Sequence, residues 1–207
     1  TITIPNDENW IVQGRVDPDS GLSSALDGRF KSGTAVERSR ANIVLRHLRI
    51  SGQVAPIEVN EILRVGSLRG RTAGYGGAFE YDGGSSDPSN LVKLVFVGIV
   101  FDHCAAGSGG GSIFIDGRAA QATADPAVQN WESGIDLTMR RCTFYRSFSW
   151  YRAGALALWD VWPLVADISE IEFVHNEALV APHDKFFWNV PQGPELRTGA
   201  TSVTVTD

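Results

Sequence analysis

One pattern of apolar positions recurs four times along the chain: apolar, any, apolar, any, any, apolar, any, apolar. It reads Ile43-Leu45-Leu48-Ile50, then Leu94-Phe96-Ile99-Phe101, then Leu137-Met139-Cys142-Phe144, and last Ala166-Ile168-Ile171-Phe173. Apolar residues two apart predict short strands with one buried face. The extra residue between the two pairs predicts a bend or bulge between strand halves. A helix would need apolar residues three and four apart throughout, with fewer Thr, Val and Gly.

The residues after each copy also recur. Three positions past the last apolar residue stand Gln53, Cys104, Ser147 and Asn176; five positions past it stand Ala55, Ala106, Ser149 and Ala178. That order predicts a tight corner, where the first side chain bonds turn amides and the second packs beneath. A second motif, Gly76-Gly77-Ala78-Phe79, Gly110-Gly111-Ser112-Ile113 and Ala153-Gly154-Ala155-Leu156, opens the short apolar runs Phe79–Tyr81, Ile113–Ile115 and Leu156–Leu158. Small residues there allow a tight turn and close stacking of neighbouring corners.

The last apolar positions fall at residues 50, 101, 144 and 173, so the repeat shortens along the chain. A coil of about 22–30 residues accounts for this if loops are inserted at 57–75, 82–90 and 117–134. These features predict an all-β solenoid of about four or five coils in a single domain, 1–207. Residues 1–40 form an N-terminal coil or cap, 41–180 the repeat coils, and 181–207 a C-terminal cap or tail. The β-prone run Thr201–Thr206 is expected to pair with a sheet edge, in this chain or another.

Phe173-Val174-His175-Asn176 and Gly76-Gly77-Ala78-Phe79 resemble the FxxN and GGAI repeats of polymorphic outer-membrane proteins, over about residues 41–180. Other copies depart from that pattern: Cys104 and Ser147 replace the Asn, and Ala153 replaces the first Gly. The resemblance implies a right-handed parallel β-helix. It says little about activity, because one fold hosts many functions. A surface adhesin-like module follows from it as one expectation, with an exported, cell-surface or organelle-lumen setting rather than the cytosol.

The outward positions of the four copies differ. The first shows Val44, Arg46, His47 and Arg49; the third Thr138, Arg140, Arg141 and Thr143; the fourth Asp167, Ser169, Glu170 and Glu172. The second shows Val95, Val97, Gly98 and Val100, so that strand is apolar on both faces and both are expected to be covered. Either an insertion or terminus of the same chain lies over Val95, Val97 and Val100, or a partner does. Trp150, Trp159 and Trp162 flank the third glycine motif as further partner-binding candidates, or as padding of the core.

Composition narrows the function classes. Eighteen Lys and Arg against 24 Asp and Glu give a net charge of −6, which disfavours a nucleic-acid partner. The longest strongly apolar stretch, Leu94–Phe101, is too short for a bilayer span of about 20 residues. Two cysteines allow one bridge at most, and no Cys/His cluster predicts a metal site. No cofactor is expected.

Candidate chemistry is sparse. Asp82, Asp116 and Asp160 each follow a short strand and are expected to form a row across neighbouring coils, a carbohydrate or cation site. Strand-end Asp residues serve as well as turn caps. His103, Arg146 and His175 share one repeat position and form a row that an anion could contact. The leading expectation is a non-catalytic structural or interaction module, an accessory or scaffold subunit docking on a larger protein assembly. The alternative is a carbohydrate-binding or polysaccharide-cleaving β-helix protein.

Overall fold

The computed structural model describes residues 2–3, 9–15, 24–29, 36–37, 41–55, 76–82, 90–107, 109–116, 134–150, 153–159, 161, 164–179, 185–188, 196–197 and 203–206. Among these there are strands and no helix. Four short strands come first: β1 (Ile2–Thr3), β2 (Asn9–Gln13), β3 (Ser24–Asp27) and β4 (Val36–Glu37). Then β5 (Asn42–Ser51) is followed by β6 (Phe79–Asp82). The next round is β7 (Val92–Asp102), β8 (Ala105–Ala106) and β9 (Ile113–Asp116). It repeats as β10 (Ile135–Tyr145), β11 (Phe148–Ser149) and β12 (Leu156–Trp159), and again as β13 (Leu164–Val174), β14 (Glu177–Ala178) and β15 (Lys185–Trp188). The chain ends with β16 (Leu196–Arg197) and β17 (Val203–Thr206).

Each of the three rounds that begin at β7, β10 and β13 adds one parallel strand to each of three sheets. The long sheet runs β16-β13-β10-β7-β5-β2, with β17 also on β13 and β3 also on β5. A six-stranded sheet runs β1-β4-β6-β9-β12-β15, and a three-stranded one β14-β11-β8. Among the described residues no sheet closes on itself. The tail run expected to find an edge does so within its own chain, with Val203 opposite Ile171 and Val205 opposite Phe173.

The registers put like positions of the repeat on top of one another. Ile50, Phe101, Phe144 and Phe173 form one column, and Leu45, Phe96, Met139 and Ile168 another. Phe144 stacks at 4.9 Å on Phe101 and at 5.1 Å on Phe173, with planes within 12° and 8°. Such offset ring ladders add to the area buried. The six-stranded sheet closes the core from the other side, where Phe79 meets Phe96 edge-on at 5.1 Å. Tyr81 is fully buried in the same core and donates its hydroxyl to the Ala41 carbonyl at 3.2 Å.

The extra residue of the 2-3-2 spacing is a bend. His47, Gly98, Arg141 and Glu170 hold it with φ of 51°, 62°, 53° and 54°. All rungs turn together there, so the ladder resumes in register at Leu48 and Ile99 and no residue is left over as in a bulge. Gly52, His103, Arg146 and His175 make a second left-handed bend after each long strand, and Gly76, Gly110 and Ala153 make a third before each short one.

The predicted corner columns are present. Ala55, Ala106, Ser149 and Ala178 are all buried. Asn176 acts as foreseen for a corner amide: its Oδ1 accepts the Ser147 N–H at 2.9 Å, and its Nδ2 donates to the Phe144 carbonyl at 3.0 Å. Ser147 in turn shares a 2.6 Å hydrogen bond with Ser112. Cys104 takes the same position with a weaker contact to the Ile50 carbonyl at 3.6 Å. Both thiols are free, and burial pushes Cys104 up to about 12 and Cys142 up to about 11.

Candidate functional site

The long sheet turns one face into the core and the other outward. Across the outer face, one column reads Ile11, Val44, Val95, Thr138, Asp167; a second reads Gln13, Arg46, Val97, Arg140, Ser169; a third reads Arg49, Val100, Thr143, Glu172. Val95, Val97 and Val100 are half-buried. Arg46 and Arg140 on the adjoining rungs stand exposed, as does Glu172 one rung further. Ile11 extends the stripe and is 69 % exposed. No described strand lies across this face.

At the C-terminal end of the long strands the sheet carries an ionic cluster. Asp102 is 4 % exposed, receives hydrogen bonds from Arg49 one rung away, and lies 2.5 Å from Nδ1 of His103. Burial works to raise its pKa, but the hydrogen bonds and charges of Arg49 and His103 outweigh that and hold it below the usual 3.8. The predicted row of His103, Arg146 and His175 does occupy successive rungs, as the amide bonds His103 to Tyr145 and Arg146 to Val174 show. Tyr145 lies among them, with its ring 5.6 Å from His103, 6.4 Å from His175 and 5.0 Å below the Arg146 guanidinium. The row therefore has an aromatic and acidic framework of its own. Sequence reasoning missed the Asp102–Arg49 pair and the place of Tyr145, because Arg49 lies one round before Asp102 and the two histidines lie on the rounds either side of Tyr145.

The expected carboxylate row is shortened. Asp82 and Asp116 are opposite one another on β6 and β9. The next position on β12 is Trp159, not Asp160. The short strands share a starting register at Phe79, Ile113 and Leu156, and the third holds an indole where the first two hold an acid. Asp160 itself lies outside the described residues, as does Trp162. Among the described residues no group of three or more potential metal ligands occurs.

Of the three candidate tryptophans, the two that are described have different surroundings. Trp159 packs on a small outer cluster of Phe114, Ala153 and Ala157. Trp150 is 36 % exposed and meets Phe148 edge-on at 5.5 Å. On the next rung Leu179, whose amide bonds the Ser149 carbonyl, is 63 % exposed. No described helix is long and apolar enough to cross a membrane. Compared with family models, with curated proteins and with solved structures, the chain finds no match.

Proposed function

We propose that the chain is a right-handed parallel β-helix that serves as a non-catalytic structural and interaction module, an accessory or scaffold subunit docking on a larger protein assembly. The coil architecture is supported by the fixed order in which each round visits the long, the three-stranded and the six-stranded sheet. Parallel crossovers of this kind are right-handed in about 98 % of cases. The FxxN and GGAI resemblance over about residues 41–180 implies the same plan.

The docking role rests on one observation. The apolar stripe of Val95, Val97 and Val100, extended by Val44 and Ile11, sits on an outer face framed by exposed charge. An interface over this stripe gains the burial of each valine. Trp150 and Leu179 add a second exposed apolar spot around the corner. The test is the native mass of the chain from its source, for the wild type and for Val97→Asp. The expected result is a wild-type peak far above 22.4 kDa containing other polypeptides, and a variant that folds but leaves the peak. A variant that unfolds in isolation, or a wild type that runs alone, overturns the reading.

A further inference from the structure

We draw no further inference here: the strongest candidate, the apolar stripe of Ile11, Val44, Val95 and Val97 on the outer face of the long sheet, belongs to the docking surface already described, and nothing in the structure shows what covers it.

Discussion

Asp102 shows how much one side chain can depend on its neighbours in space. It ends a strand whose preceding residue, Phe101, is fully buried, and it would be an uncompensated buried acid without Arg49 and His103. Because its pKa in the folded chain lies below the unfolded value of about 3.9, the cluster stabilises the fold at pH above that value. That stability is lost as pH falls through the folded pKa. The urea midpoint of the wild type is therefore expected to fall between about pH 5 and 2 more steeply than that of Asp102→Asn, which starts lower at neutral pH. Parallel curves for the two proteins would show that the cluster carries no differential charge. The pairing of Asp102 with Arg49 was not legible in the sequence, because 53 residues separate the two.

At the scale of the element, the glycine corners illustrate two separate demands. Gly110 supplies a φ of 59°, while Gly111 supplies room: a Cβ on it would lie 1.9 Å from the Gly154 carbonyl oxygen and 2.5 Å from that of Phe148. Both obstacles are backbone, so neither rung can give way cheaply. Gly98 is a milder case, where the φ of 62° is strained for any other residue but the nearest atom is the His47 ring at 3.0 Å. Gly111→Ala is expected to cost more than about 3 kcal/mol and Gly98→Ala about 1–2 kcal/mol, read from urea unfolding. Equal losses would mean that the close approach of the corners is not what selects glycine at 111. The motif was legible beforehand, since a Gly-Gly or Ala-Gly pair opens each of the three short apolar runs two residues later. Ala153 was read only as a degenerate copy, and the structure holds it at a φ of 54°.

Over the whole molecule, contacts run mainly between one round and the next, as in quasi-one-dimensional stacks. Interior rungs have a neighbour on both sides, whereas β2 and β3 at one end and β16 and β17 at the other pair along one edge. Amide exchange is expected to be slowest in β7 and β10 and progressively faster toward both ends. Uniform protection along the chain would instead indicate a single cooperative unit with no fraying. The order of outward charges, from Arg46 and Arg49 on β5 to Glu170 and Glu172 on β13, is also a property of this scale: these are rungs of one sheet only because every loop between them returns the chain to the same register.

The parts of this protein that could be read without coordinates are those set within a few residues. Side chains alternate across a strand, so the spacing of Leu94, Phe96, Ile99 and Phe101 announces two strand halves and a break between them. Asn176 and Ala178 follow Phe173 at distances that only a tight corner explains, and Asn176 bonds as that corner requires. Stacking had to settle the rest. Trp159 instead of Asp160 beside Asp116, Tyr145 among two histidines and an arginine, and the half-burial of Val97 all depend on which residues from separate rounds share a level. Local spacing constrains each strand through its own backbone geometry. Level is fixed by hydrogen bonding between strands whose connecting loops differ in length, and that information exists only once the rounds have come together.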